Sequence, residues 1–274
     1  GPTNSMRGAA YLSGLSECAV VDIGGTTSDV GVLNNGFPRE ATTEVEVAGV
    51  RTNFRMPDVL SVGLGGGSHV TPDGSAVGPL SVGFRLTEKA LVFGGDQLTA
   101  TDVAVAAGYA DIGDKSLVAH LSKSMVERAL DVIAREVTAT VERMRISSQP
   151  LPVVGVGGGS ILLPEILGDL GKVNRPENFA VANAIGAAIA QVSGEVDRVY
   201  AIPDGDRDRV VAEAKAEAVE KAIAAGARAS EVEVVDFDEI PLPYVPGNAT
   251  RIRAKAVGPL ASEDMPAAKK EAQK

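Results

Sequence analysis

The chain has 274 residues, enough for one large or two medium domains with a substantial apolar core. Its net charge of −10 argues against a nucleic-acid backbone or an anionic membrane surface as a partner. The single cysteine, Cys18, excludes a disulfide framework within the chain. No stretch has the roughly 18 uninterrupted apolar residues of a membrane span. The first residues also lack the pattern of a secretion signal, so we expect a cytoplasmic protein.

Residues 18–35 predict a strand, a tight turn and a second strand. The first strand is apolar apart from Asp22, near its end. A carboxylate at the mouth of a buried strand is costly unless a donor or a cation, such as a hydrated divalent metal, meets it. The first glycine turn (Gly24, Gly25, Thr26 and Thr27) offers backbone N–H groups and two hydroxyls that suit a phosphate. Many such turns are simple hairpins, but Asp22 and Asp29 on its two sides favour a nucleotide site.

The next elements are strands and turns. Asn34, Asn35 and Gly36 predict a tight turn into a half-exposed strand at 40–50. Residues 59–70 predict a strand that runs into the second glycine turn (Gly65, Gly66 and Gly67), followed by a hairpin at 72–74.

Helices dominate the following part of the sequence. Residues 99–109 predict a helix with Thr99 or Thr101 as N-cap and Asp102 in its first turn. Apolar residues at three- and four-residue steps predict a long amphipathic helix over 116–145. A buried strand at 150–160 ends in the third glycine turn (Gly157, Gly158, Gly159 and Ser160). The remaining predictions are helices at 163–170, 179–192 and 206–225, and strands at 195–202, 231–240 and 250–257.

The order of these elements predicts an α/β fold with a mixed sheet flanked by helices. Ligands of open α/β sheets bind outside the carboxyl ends of the strands. Because each glycine turn follows an apolar strand, we expect the three turns to line one cleft. The predicted organisation is a nucleotide-binding lobe at 1–192, an α/β extension packed on it at 193–260, and a disordered tail at 261–274.

Six segments resemble the hydantoinase A / 5-oxoprolinase family of the actin-like, sugar-kinase-like ATPase superfamily. They are GPTNSMRGA at 1–9, VVDIGGTTSDVGVL at 20–33, MPDVLSVGLGGGS at 56–68, LTATDVAVAAG at 98–108, VVGVGGGS at 153–160 and VANAIGAA at 181–188. The resemblance implies a ribonuclease H-like (actin-like ATPase) lobe that uses ATP and Mg²⁺ to open a cyclic amide.

The resemblance also implies roles for particular residues. Asp22 and the first glycine turn match the second phosphate motif, whose acid orients a metal-bound or nucleophilic water. The third glycine turn matches the adenosine motif, and the second is a further candidate for nucleotide binding. Asp58 is a candidate catalytic residue and, with Asp22, a metal ligand, or else a simple turn acid. Asp102 is either catalytic or a helix-capping residue.

The sequence departs from the family at two places. The superfamily's first phosphate motif is absent, so the chain resembles the second lobe alone, and the implied partner is a missing N-terminal lobe of the same protein. Leu60 stands where the family has a histidine, which argues against hydantoin as substrate. His69 either replaces that histidine or is a surface residue, and His120 is expected to be structural.

The leading hypothesis is therefore the nucleotide-binding C-terminal lobe of an ATP-dependent hydrolase of hydantoin-, 5-oxoproline- or lactam-like cyclic amides. A charge clamp requires both lobes, so this half alone is expected to have little activity. The alternatives are a kinase-like phosphotransferase and a nucleotide-gated interaction protein. A second hydrolase subunit or a homo-oligomer is a further expected partner.

Overall fold

The computed structural model describes residues 1–41, 46–47, 50–51, 57–146, 149–189, 191–203, 205–243 and 249–261. The chain divides into two compact units, Gly1–Ala188 and Ile189–Lys274. Within the described ranges, no helix has both the length and the apolar character needed to cross a membrane. The predicted tail lies outside the described residues from position 262 onward.

Helices and strands alternate irregularly along the first unit, and a shorter α/β set forms the second. The helices are α1 (Pro2–Ser13), α2 (Leu86–Lys89), α3 (Ala100–Ala106), α4 (Lys123–Met144), α5 (Ala182–Ala188) and α6 (Arg207–Ala224). The strands are β1 (Cys18–Ile23), β2 (Ser28–Asn34), β3 (Phe37–Pro38), β4 (Glu46–Val47), β5 (Val50–Arg51), β6 (Val59–Val62), β7 (Ser68–Val70), β8 (Val77–Ser81), β9 (Val153–Val156), β10 (Val173–Asn174), β11 (Gln191–Ala201), β12 (Glu233–Pro241) and β13 (Ala249–Pro259).

The main sheet of the first unit is mixed. Its order is β10-β9-β1-β2-β3, and β6 also pairs with β2. Strands β1 and β2 are antiparallel, whereas β1, β9 and β10 run parallel to one another. The register aligns Asp22 with Asp29, and Asp29 with Ser61 of β6. The three residues therefore form one row across the end of the sheet.

Both faces of this sheet are covered because its strands are apolar on both sides. Ala19, Val21 and Ile23 of β1 belong to a core cluster that includes the buried face of α4. The alternate residues Cys18 and Val20 pack in a second cluster with α1. Helix α1 was not predicted. Since side chains alternate along a strand, Asp22 lies on the α1 face.

Two predicted helices are shorter than expected and a third does not form. The long helix begins at Lys123 because Ser122 caps it, accepting from the Met125 N–H, and Lys115–Val118 forms a separate 3₁₀ turn. The helix predicted at 163–170 is wrong, since 3₁₀ turns at Gly158–Leu162 and Gly168–Leu170 occupy this region. The helix predicted at 179–192 is α helix only over Ala182–Ala188, because the chain has already entered β11 at Gln191.

The single strand predicted at 40–50 is also wrong. Val47 pairs with Val50 across β4 and β5, so the chain reverses direction there. Residues 42–45 and 48–49 of that prediction lie outside the described residues.

The second unit is a three-stranded antiparallel sheet with one helix against it. The sheet order is β11-β13-β12. Small residues of α6 (Ala214, Ala218 and Ala222) pack in one core cluster with Ile252 and Ala254 of β13. The helix and three strands predicted in this region are confirmed within a few residues at each end.

Candidate phosphate-binding site

The three glycine turns meet at one end of the main sheet, as the sequence predicted. The N–H groups of Gly66 and Gly67 donate to the carbonyl oxygens of Gly24 and Gly25 at 3.0 and 2.7 Å. On the other side, a Cβ at Gly157 would overlap the Oδ1 atom of Asp22. The first glycine turn is therefore held between the second and the third.

Three consecutive backbone donors of the first turn lack an acceptor among the described residues. The Gly24 N–H donates to the Thr27 carbonyl oxygen at 2.9 Å, which closes the turn. The N–H groups of Gly25, Thr26 and Thr27 donate to no acceptor in the described part of the chain, and all three residues are exposed. Successive unpaired N–H groups in a turn form a concavity that binds anions. The geometry thus suits a phosphate.

The second glycine turn supports the first from behind. It is buried, and the N–H groups of all three glycines are used inside the protein. Thr101 at the start of α3 donates to the Gly66 carbonyl oxygen through both its N–H and its hydroxyl, each at 2.9 Å. A Cβ at Gly65 would overlap the Thr26 nitrogen, so only glycine permits this close approach.

The third glycine turn combines an exposed glycine with an unpartnered hydroxyl. Gly157 has φ +80° and donates to the Phe179 carbonyl oxygen at 2.9 Å. Gly158 is exposed. Ser160 is completely buried, and its Oγ atom has no hydrogen-bond partner in the described structure. A buried orphan hydroxyl is costly unless a ligand or water satisfies it.

Asp22 is half-buried between the first and third turns, where α1 covers its face of the sheet. Burial raises the pKa of this carboxyl and the charge of Asp29 raises it further, while a hydrogen bond from Ser5 opposes both. The Asn183 side chain of α5 donates to the Ser5 hydroxyl at 2.9 Å. Asn183, Ser5 and Asp22 thus form a chain of polar contacts that fixes the carboxylate.

A close crossing of α1 and α5 brings Ser5 and Asn183 into place. A Cβ at Gly8 would overlap the Ala182 carbonyl oxygen, and one at Gly186 would overlap the Asn4 carbonyl oxygen. Sequence reasoning missed both polar residues, although both lie in the segments GPTNSMRGA and VANAIGAA.

The structure does not bring Asp58 to Asp22. Asp58 precedes β6, three residues before Ser61, which places it about 10 Å along the strand from the Asp22 row. Its carboxylate accepts two hydrogen bonds from Arg39, at 3.0 and 2.8 Å. The arrangement gives no support to the predicted metal site shared by Asp22 and Asp58.

Asp102 is completely buried and caps α3. Its carboxylate accepts from the N–H and hydroxyl of Thr99, each at 2.7 Å, and from the Val92 N–H at 2.8 Å. These contacts are those of the capping alternative, and its catalytic role stays a prediction.

Comparison with known proteins decides the family. The family model described as hydantoinase/oxoprolinase matches residues 1–144. The chain belongs to this family.

One curated protein and two solved structures are similar to parts or most of this chain. The gamma subunit of acetophenone carboxylase from Aromatoleum aromaticum is 33% identical over 116 residues, covering 40% of this chain and 16% of that one. A nucleotide-free structure of acetone carboxylase aligns with 96% of this chain and with 50% of its own length, with a TM-score of 0.58 and 19% identity. An ATP-dependent caprolactamase from Pseudomonas jessenii covers 97% and 50%, with a TM-score of 0.66 and 16% identity.

These structures confirm the predicted fold class, an actin-like α/β fold with a mixed sheet. The chain spans about half the length of each of the two structures.

The two histidines of this hydantoinase/oxoprolinase chain lie in different parts of the first unit. His69 is half-buried in β7 and pairs with Thr99 as an isolated bridge. Leu60, in the place of the family histidine, is half-buried in β6. His120 is exposed and precedes α4, so its predicted place on the long helix is wrong.

The carboxylates near the first glycine turn suit Mg²⁺ only if waters and phosphates complete its coordination. Among the residues that the structure describes, no three His, Cys, Asp or Glu side chains form a metal cluster. Mg²⁺ commonly takes one or two protein carboxylates and completes its shell with waters and substrate phosphates. Asp22, with Asp29 opposite it in the register, meets that requirement beside the first glycine turn.

Proposed function

We propose that the first unit is the polyphosphate-binding half of an ATP-dependent enzyme that activates the carbonyl oxygen of a small molecule, most simply a cyclic amide. The observation that carries the proposal is the row of three unpaired N–H groups at Gly25, Thr26 and Thr27 next to a half-buried carboxylate. Unpaired donors favour negative charge, and Asp22 then requires a cation between itself and that charge.

In this proposal each glycine turn has a separate task. The first glycine turn holds the phosphates. Gly158 and Ser160 of the third face the nucleoside, where the orphan hydroxyl of Ser160 gains a partner. The second turn holds the first in shape without touching the nucleotide. Asp22 orients a bound Mg²⁺ or a water molecule, and Ser5 and Asn183 position it.

ATP supplies an activated phosphoryl group, which turns an unreactive amide oxygen into a good leaving group. The chain's own residues bind the phosphates and hold Asp22 at their side. Preorganised charge on both sides of a phosphoryl group is needed for a large rate gain. Because the chain spans about half of the similar structures, we infer that the opposing side comes from a further polypeptide region, the predicted N-terminal lobe, or from a second subunit.

Ketone carboxylation is a second candidate, favoured by the names of two similar proteins. One is a subunit of acetophenone carboxylase, and another comes from work on ATP-dependent acetone carboxylation. Both this reaction and caprolactam opening act on a carbonyl compound, so the proposed polyphosphate-binding half of the enzyme would serve either reaction. Bicarbonate separates them, since only carboxylation requires it.

The test is ATP-dependent phosphate release by the complete enzyme with ε-caprolactam, 5-oxoproline, hydantoin and acetone, each with and without bicarbonate. Asp22→Asn is expected to lower turnover about 10²- to 10⁴-fold. Asp58→Asn is the matched control, because it removes a carboxylate from the same sheet about 10 Å away and is expected to retain turnover.

Unchanged turnover in Asp22→Asn would remove Asp22 from the mechanism. A stable phosphorylated product would favour the kinase-like alternative. Nucleotide-dependent binding of a partner without any turnover would favour the interaction protein.

A further inference from the structure

Two large apolar side chains are exposed on either side of residues 81–83, which contact the first and second glycine turns. Leu80 lies in β8 and is 70% exposed, and Phe84 lies in the 3₁₀ turn Gly83–Arg85 and is 95% exposed. Single exposed apolar residues are common, but a pair next to a ligand site indicates a binding surface.

The segment that carries them is fixed to the phosphate-binding turns. The Val82 N–H donates to the Gly67 carbonyl oxygen at 2.9 Å, and the Ser81 hydroxyl donates to the Gly25 carbonyl oxygen at 3.4 Å. A Cβ at Gly83 would lie 3.9 Å from the methyl group of Thr26. Gly83 therefore lies close to the first turn, and Phe84 is the next residue along the chain.

The sheet order decides which part of a bound ligand this segment faces. The third glycine turn follows β9, on one side of β1, whereas β7 and β8 follow β6, on the far side of β2. With the nucleoside at the third turn, as in the proposed function on which this inference rests, Leu80 and Phe84 lie on the side of the phosphoryl acceptor.

The neighbouring cations are already paired. Arg85 forms an ion pair with Glu88 at 3.0 Å, and Lys89 forms one with Asp96 at 3.7 Å. Both pairs are exposed to solvent and contribute little, so the preference for an uncharged acceptor depends on the apolar side chains. We infer that Leu80 and Phe84 form an apolar wall that binds the ring or chain of an uncharged carbonyl acceptor, so that the site prefers neutral lactams to carboxylate-bearing ones.

The first test is the acceptor dependence of phosphate release by the complete enzyme. Phe84→Ala is expected to raise the KM for ε-caprolactam about 10-fold, with little change in kcat or in the KM for ATP. The KM for 5-oxoproline, which carries a carboxylate, is expected to change less. Phe84→Leu should restore most of the affinity. Ile146→Ala, which removes another exposed apolar side chain (86%), is the matched control.

An unchanged KM for ε-caprolactam in Phe84→Ala, with wild-type turnover intact, would overturn the wall and leave the proposed function standing. A parallel rise in the KM for ATP would also overturn it, because Phe84 would then contact the nucleotide or a covering polypeptide.

A second test does not depend on turnover. The chain has no tryptophan, so Phe84→Trp places a single tryptophan, which can be excited selectively at about 295 nm, at the wall of the 274-residue protein. Titration with ε-caprolactam in the presence of a non-hydrolysable ATP analogue is expected to shift its emission to the blue in a saturable way. Ile146→Trp should not respond. If no carbonyl compound supports phosphate release, the proposed function fails, and an unchanged emission of the Phe84→Trp variant would overturn the wall as well.

Discussion

The sheet of the first unit ends in three glycine turns, whereas the sheet of the second unit carries a ladder of ion pairs on the face away from α6. In the ladder, Arg251 of β13 donates two hydrogen bonds to Asp197 of β11, at 2.7 and 2.8 Å. Arg253 lies 3.5 and 3.4 Å from Asp236 and Asp238 of β12. Hydrogen bonding to Asp197 raises the pKa of Arg251.

At the end of the first sheet the polar groups are left in the opposite condition. Asp22 is half-buried with a raised pKa, and among the described residues neither Ser160 Oγ nor the N–H groups of Gly25, Thr26 and Thr27 have a hydrogen-bond partner. Unmet polar groups cost stability, and such costs concentrate at functional sites. In the second sheet the charges thus pair with one another, whereas the end of the first sheet has the half-buried Asp22 carboxylate beside the backbone donors of the proposed phosphate site.

The largest expected effect comes from filling the space between the turns. Gly157 and Gly171 both have φ +80°, but a Cβ meets Asp22 and Ile23 at Gly157 and nothing within 4 Å at Gly171. Gly171→Ala is expected to cost about 1–3 kcal/mol from backbone strain alone. Gly157→Ala should cost clearly more, because overlap adds to the strain. Urea unfolding of both variants measures the difference, and equal losses would contradict the packing of the third turn against Asp22.

A smaller effect of opposite sign is expected for Asp22→Asn. Because the folded state holds the Asp22 proton to higher pH than the unfolded state, stability falls as the pH rises from the ordinary Asp pKa of about 3.9 through the raised value. Because Asn does not ionise, the variant does not lose stability in this way as the pH rises. Its melting temperature should match that of the wild type near pH 4 and exceed it at pH 7 by at most about 2–4 °C.

Thermal unfolding between pH 4 and pH 8 tests this difference. Asp58→Asn is the control with the opposite expectation, since it breaks the pair with Arg39 and should melt lower. An Asp22→Asn protein less stable than wild type at pH 7 would show that the carboxylate is satisfied in the fold.

The ladder should be much less sensitive. Arg251→Met is expected to change the melting temperature by no more than about 2 °C, because exposed ion pairs contribute little. Binding of ATP should not change. If urea unfolding showed that Arg251→Met lowers the free energy of unfolding as much as Gly157→Ala does, the ladder rather than the core would hold the second unit together.

The smallest effect is expected at the other end of β1. Burial, with the neighbouring charge of Glu17, raises the pKa of Cys18 to about 12. The native thiol should therefore not react with a disulfide reagent at pH 8, whereas the unfolded protein should react fully. Rapid native reaction would show that the α1 face of β1 is open beyond Asp22.

The first sheet and its turns could be predicted from the sequence because their signals are local. Apolar runs next to glycines define β1, β2, β6 and β9, and Asp22 and Asp29 are conspicuous as the charges within the first two. The register then follows from pairing at the turn. The signals for the helix and the three strands of the second unit are equally local, and all four elements were predicted.

The supporting residues could not be predicted, because their roles depend on contacts distant in sequence. Ser5 and Asn183 are 178 positions apart, and only the glycine-mediated crossing of α1 and α5 joins them. The separation of Asp58 from Asp22 required the β2–β6 register. The helix predicted at 163–170 does not form, because contacts such as the bridge of Ile166 with Lys172 compete with helical periodicity.

The most direct test of the account follows the backbone amides of the 274-residue protein by ¹⁵N–¹H NMR during titration with Mg-ATP. We expect saturable shifts of the Gly25, Thr26 and Thr27 amides, with much smaller changes at Gly66 and Gly67, whose N–H groups already have acceptors. Saturable binding that leaves the amides of the first turn unmoved would contradict it.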